Sequence, residues 1–201
     1  MRLGVETWLA ANGVNRPTAP PPDDTASLGR DADQEAVARK IVLDQLTGQA
    51  RSRSELGAKL AAKGVPPDLM ERMLTRFEEV GLVDDEAFAR SWVQSRQAGK
   101  GLARRALAQE LRRKGVDEAV AREVLDEVDP DTEVEAARQL VRRKLRSLAR
   151  VDDATAVRRL GGMLDRKGYP AGVAFRVVRE ELDAAGREAV EALGGADPDL
   201  A

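Results

Sequence analysis

The sequence predicts an all-α protein, an elongated tandem array of three three-helix repeats, from three observations. Ala, Leu, Glu, Lys and Arg supply about half of the 201 residues, the usage of long helices. A Lys-Gly-(Val/Tyr) turn recurs as Lys63-Gly64-Val65, Lys114-Gly115-Val116 and Lys167-Gly168-Tyr169, spaced by 51 and then 53 residues. A period of that length marks a repeat architecture. Each turn follows an i,i+4 leucine pair, Leu56/Leu60, Leu107/Leu111 and Leu160/Leu164, which sets two leucines on one helix face.

The elements follow in chain order. Residues 1–33 hold Pro17, Pro20, Pro21 and Pro22 with Asp23, Asp24, Asp31 and Asp33, and read as a flexible leader whose composition buries too little to offset ordering. A short helical pattern around Trp8, over Val5 to Ala11, is its one local feature. Repeat 1 spans 34–82, repeat 2 spans 83–129 and repeat 3 spans 130–185, followed by an acidic tail over 186–201. The first helix of each repeat is expected at roughly Gln34–Leu46, Asp85–Gln97 and Asp131–Leu148. Ser52 with Glu55 reads as a capping box opening the second helix of repeat 1. The glycine of each Lys-Gly turn suits a left-handed C-terminal cap, with Val65, Val116 or Tyr169 packing back on Leu60, Leu111 or Leu164. Pro66-Pro67-Asp68, Asp117-Glu118 and Pro170 then start the third helix.

Composition excludes much chemistry. There is no Cys and no His, so disulfides, thiolate nucleophiles, imidazole bases and Cys/His metal sites are absent. No catalytic residue, metal or cofactor is expected. No apolar run reaches the roughly 18 residues of a membrane span, and the N-terminus lacks a secretory pattern, so a soluble cytoplasmic protein without a membrane partner is the expectation. Gly99-Lys100-Gly101 resembles part of a phosphate loop, but Gln94 and Gly101 stand where that motif needs Gly and Ser/Thr, and the segment reads as an interhelical loop. Asp84-Asp85-Glu86 with Glu78-Glu79 could suit a hard cation, yet acids just before Ala87-Phe88-Ala89 are what a helix start requires. The helical spacing of Phe77, Phe88 and Trp92 points to core packing rather than base stacking.

The net charge of −2 hides strong asymmetry. Residues 87–116 carry +7 and residues 138–150 carry +6. A solvated face usually mixes signs, because like charges repel, so single-sign faces point to a polyanion or an acidic partner. The arginine excess, 26 to 7 over lysine, suits bidentate phosphate or carboxylate contacts, although genome composition produces the same ratio. A helix-turn-helix reading fails on charge. The helix after the turn in repeat 2 has Asp117, Glu118, Glu123, Asp126 and Glu127 against Arg122, and DNA phosphates would repel it.

The run Gly81-Leu82-Val83-Asp84-Asp85-Glu86-Ala87-Phe88-Ala89-Arg90-Ser91-Trp92-Val93, then Ser95-Arg96, Gly99-Lys100-Gly101 and Leu107-x2-Glu110-Leu111-x2-Lys114-Gly115-Val116, resembles the central signature of the RecX family. The resemblance covers roughly residues 34–185 and includes the three-unit layout. It implies a non-enzymatic regulator, mainly an inhibitor, of the RecA recombinase. Such a protein lodges in the groove of the RecA–single-stranded DNA filament and modulates ATP hydrolysis, strand exchange and SOS co-protease activity. The leader and acidic tail depart from that compact pattern. A monomer that contacts the RecA filament is the expected assembly, and the sequence leaves open whether single-stranded DNA within it is contacted directly as well. Within it, Arg96, Lys100, Arg104, Arg105, Arg112 and Arg113 are expected to form the middle contact face. Arg51 and Arg53 continue it, and Arg142, Arg143 and Arg146 extend it toward repeat 3. Two alternatives stand beside this reading: a general basic helical nucleic-acid-binding protein acting by competition for DNA, and a scaffold that recruits acidic proteins without DNA.

Overall fold

The structure is a computed structural model that describes residues 24–186; the helical pattern at Val5 to Ala11 and nearly all of the acidic tail lie outside the described residues. Nine α-helices and one 3-10 turn are described, with no strand among these residues. Unit 1 comprises α1 (Asp24–Gly48), α2 (Arg53–Ala61) and α3 (Pro67–Glu79). Unit 2 comprises α4 (Asp85–Lys100), α5 (Arg104–Arg113) and α6 (Glu118–Asp126). Unit 3 comprises α7 (Pro130–Leu145), continued by the 3-10 turn Arg146–Leu148, then α8 (Asp153–Arg166) and α9 (Ala171–Ala184). The all-α, three-by-three-helix expectation is therefore met.

The caps follow the local chemistry. Asp84, Asp117, Asp129 and Asp152 each accept from first-turn backbone N–H groups of the helix that follows. At the three repeated turns Gly64, Gly115 and Gly168 have φ of 76°, 72° and 88°. The next amide donates back to the leucine carbonyl: Val65 to Leu60 at 3.2 Å, Val116 to Leu111 at 3.2 Å and Tyr169 to Leu164 at 3.1 Å. This is the Schellman arrangement anticipated above.

Three details depart from expectation. α1 begins at Asp24, ten residues before the expected start at Gln34, because an established helix gains a hydrogen bond for each further residue at little cost. Gly99-Lys100-Gly101 is not a loop: α4 runs through Lys100 and Gly101 is its left-handed cap. The capping box is half formed. Ser52 accepts from the Glu55 amide at 3.2 Å, but the Glu55 carboxylate pairs with Lys114 at 2.7 Å instead of returning to Ser52.

Each unit has its own core. Unit 1 buries Ala38, Val42, Leu56, Leu60, Leu69, Met73, Leu74 and Phe77, closed by Val83. Unit 2 packs Phe88, Ala89 and Val93 with Leu107, Leu111, Val116, Val124 and Leu125. Unit 3 gathers Leu140, Val141, Leu160, Leu164, Tyr169, Val177, Val178 and Leu182, and takes in Ala103 from unit 2. The i,i+4 leucines of all three second helices are at most 1% exposed, as their spacing requires.

The units join by one repeated contact. The Lys-Gly turn of each later unit docks on the N-terminus of the second helix of the unit before it. Ser52 Oγ donates to the Lys114 carbonyl at 2.6 Å. The Ala103 amide donates to the Lys167 carbonyl at 2.9 Å. A Cβ on Gly115 would stand 2.2 Å from Ser54 Oγ, and one on Gly168 would stand 2.5 Å from the Ala106 nitrogen. These glycines are thus needed twice, for a positive φ and for close approach. Tyr169 completes the second junction, donating from its buried hydroxyl to the Gly101 carbonyl at 3.2 Å.

Candidate interaction surface

The expected middle face divides into two surfaces and a set of structural ion pairs. The first surface is a track along α4 and both junctions. It starts at Arg51, whose guanidinium lies 3.8 Å from Glu55, the residue that also holds Lys114 at 2.7 Å. Lys114 Nζ sits 4.4 Å from the centroid of the Trp92 ring and Arg96 Cζ sits 3.9 Å from it, two cation–π contacts on one indole. Glu110 ties this cluster together, accepting from Trp92 Nε1 at 2.9 Å and Arg96 Nε at 3.1 Å, with Lys100 Nζ 4.0 Å away. Lys167 Nζ donates to the carbonyl of Lys100. Burial first, and then the positive charges of Arg143 and Lys100, hold the Lys167 ammonium below the ordinary lysine pKa. Arg51, Lys114, Arg96, Lys100, Lys167 and Arg143 therefore run across all three units, with Glu55 and Glu110 between them.

The second surface is an open cleft of about 320 Å³ between α5 and α6. Its floor is Ala108, Val116, Ala121 and Leu125, and its walls carry Arg104, Arg105, Arg112 and Arg122 against Glu118 and Asp126. Here the walls are already partly engaged. Arg105 reaches across the junction to Asp165 at 2.7 Å, and Arg104 donates to the Val128 carbonyl and lies 3.8 Å from Glu133. Arg112 and the adjacent Arg113 are exposed and have no carboxylate within 4 Å among the described residues.

Other expected site residues are held internally. Arg53 spans to Glu78 at 2.8 Å and to Glu71, clamping α2 to α3. Arg142 grips the buried Glu181 at 2.7 Å, and that pairing raises the guanidinium pKa further. Arg143 and Arg146 are exposed on the same helical turn, without an ion pair among the described residues. The acids weighed as a cation site have structural roles: Asp84 caps α4, Glu78 pairs with Arg53, and Asp85 accepts from the Arg53 amide at 2.7 Å. Burial raises the Asp85 carboxyl pKa. No cluster of metal-binding side chains is present among the described residues, and none of their helices is long and apolar enough to cross a membrane.

Sequence reading missed two members of the track, Lys114 and Lys167. A glycine C-cap explains the Gly of the repeated turn but does not demand the Lys before it, so the recurrence of that lysine was the available signal. It also placed Trp92 in the core with Phe77 and Phe88. Those two are buried, but Trp92 is only partly so, sealing the core with one side and carrying the cations with the other.

A tandem helical repeat that presents cationic surfaces across its unit junctions defines a class, the helical-repeat proteins with basic interaction faces. Comparison with known proteins makes this specific. Models of the first, second and third three-helix domains of RecX match residues 38–77, 84–125 and 131–178. The regulatory protein RecX of Thermobifida fusca is 49% identical over 174 residues, covering 82% of this chain and 94% of the relative. That of Streptomyces coelicolor is 50% identical over 151 residues, covering 75% and 80%. A crystal structure of a regulatory protein RecX superposes with a TM-score of 0.71 at 25% identity, covering 88% of this chain and 86% of that one. RecX from Lactobacillus salivarius shares the fold at a TM-score of 0.68 and 19% identity, over 75% and 97% of the two chains. The chain belongs to the RecX family of regulatory proteins.

Proposed function

We propose that this protein regulates the RecA recombinase, mainly as an inhibitor, by seating its cationic track in the groove of the RecA–single-stranded DNA filament. The observation that carries this reading is the continuity of the track, in which Arg51, Lys114, Arg96, Lys100, Lys167 and Arg143 cross both unit junctions. A filament groove repeats its carboxylates and phosphates along an axis. Three units joined in tandem can engage several of those repeats at once, which raises avidity without any new kind of contact. Arg112, Arg113 and Arg146 have no internal carboxylate partner among the described residues and are left to add bidentate contacts. Occupation of the groove would obstruct filament growth and the turnover of ATP that accompanies it.

The test is binding at near-physiological salt to three targets: a RecA–ATP–single-stranded DNA filament, the same DNA bare, and free RecA. Preference for the filament, with falling ATP hydrolysis, is the expected result. Lys100→Glu with Arg143→Glu should weaken filament binding by at least about tenfold while helicity is unchanged. Equal or tighter binding to bare DNA, with a steep salt dependence from counterion release, would make the protein a DNA competitor and overturn the reading. Arg112→Glu with Arg113→Glu tests the second surface more cleanly than Arg105→Glu, which would also break the Arg105–Asp165 junction pair.

A further inference from the structure

The internal repeat exposes one place where unit 1 breaks the pattern of the other two. In every unit the first helix carries an Ala-Arg pair with the alanine fully buried: Ala38-Arg39, Ala89-Arg90 and Ala137-Arg138. In units 2 and 3 the arginine crosses to the third helix or its cap and closes the seam, Arg90 to Glu127 at 2.9 Å and Arg138 to Glu180 at 2.9 Å. Both glutamates stand thirteen residues after the lysine of the repeated turn. Thirteen residues after Lys63 stands Arg76. The seam of unit 1 thus has an arginine on each side, and Arg39 turns back to Glu35 on its own helix at 2.8 Å.

A groove of about 420 Å³ runs between α1 and α3, lined by Leu43, Leu69, Met73, Phe77, Val80 and Leu82 along with Arg39, Arg72, Arg76 and Glu35. The bridged seam of unit 3 also has a cavity, about 500 Å³ and lined by polar side chains including Arg138 and Glu180, so what sets the unit 1 seam apart is its apolar lining and its excess of arginine. Four of the five large apolar side chains exposed among the described residues belong to unit 1, and three of them, Leu43, Val80 and Leu82, line this groove. Arg72 and Arg76 have no carboxylate within 4 Å among the described residues. Apolar surface flanked by unpaired arginines complements a ligand that brings apolar side chains and carboxylates together.

We infer that the α1–α3 groove docks an acidic amphipathic segment of a partner protein, whose carboxylate takes the place that Glu127 and Glu180 hold in the other two units. This goes beyond the filament reading and does not depend on it, since none of the track residues lines the groove. The probe is a fluorescein-labelled synthetic helix with leucines on one face and glutamates beside them, titrated into the full chain and followed by anisotropy. The expected result is saturable binding that falls at least about tenfold when the glutamates become glutamine.

Arg76→Glu supplies the missing internal partner for Arg39. It should abolish peptide binding while the melting temperature stays level or rises, a combination that simple damage to the fold would not give. Val80→Ser with Leu82→Ser, at positions 63% and 53% exposed, should weaken the peptide without unfolding the unit. Peptide binding that survives Arg76→Glu, or that is absent from the parent protein, overturns the inference. Loss of oligo(dT) binding in Arg76→Glu would mark the groove as a nucleic-acid contact, and overturns it too. Binding that emerges only when residues 187–201 are deleted would make the chain's own acidic C-terminus the occupant, and likewise excludes a partner.

Discussion

Ser52 shows how one side chain can serve two masters. Fully buried, it accepts from the Glu55 amide within its own helix and donates to the Lys114 carbonyl of the next unit. Ser52→Ala removes both bonds and leaves the part-buried Lys114 carbonyl and Glu55 amide without this partner, so a loss of about 1–3 kcal/mol is expected by denaturant titration. Leu111→Ala acts through packing alone and should cost about 2–5 kcal/mol. Tyr169 makes the second junction sensitive to alkali. Burial, helped by Glu133, pushes its phenol up to about 12 from an ordinary 10.0. The folded state thus holds the proton to higher pH than the unfolded one. Its contribution is complete below pH 10 and is lost as pH rises toward about 12. Lys167, depressed on folding, works in the opposite direction, but it is common to parent and variant. Tyr169→Phe should therefore lower stability at neutral pH and flatten its fall between pH 10 and 12, which denaturant titrations across that range would show.

At the scale of the element, three copies of one turn provide an internal control. Gly64, Gly115 and Gly168 share a left-handed conformation, yet a Cβ on Gly64 would meet nothing within 4 Å, whereas one on Gly168 would meet the Ala106 backbone at 2.5 Å. Gly64→Ala should cost only the left-handed strain, about 1–2 kcal/mol. Gly168→Ala adds a clash with a rigid helix start and should cost about 1–3 kcal/mol more. The difference in their denaturation midpoints measures the junction; equal losses would mean that the turn does not seat as described. The turn, the leucine pair before it and the acid caps after it were all legible in the sequence, because each is set by residues within one turn of helix. That the turn is also a docking plug was not legible, since Ser54 and Ala106 lie about sixty residues away from the glycines that they meet.

For the whole molecule, stability should be uneven. The unit 3 cluster has fourteen buried residues, one borrowed from unit 2, against nine in unit 1, and arrays of this kind open unit by unit. Hydrogen exchange should show the slowest amides in α8 and α9 and faster ones in α1 and α3; uniform protection would indicate one cooperative block. The sequence alone determined the helical class, the period, the core leucines, the caps and the family resemblance, because these rest on local spacing and composition. It also located the excess of positive charge. Only the tertiary structure decided which charges are committed and which are available. Arg53, Arg104, Arg105 and Arg142 spend theirs on internal carboxylates, and within the track Lys114 and Arg96 are likewise paired, with Glu55 and Glu110, whereas Arg112, Arg113, Arg143 and Arg146 have no carboxylate within 4 Å among the described residues. Whether a cation is free depends on the carboxylate that the fold brings within about 4 Å, and a contact across tens of residues leaves no mark in periodicity or local charge.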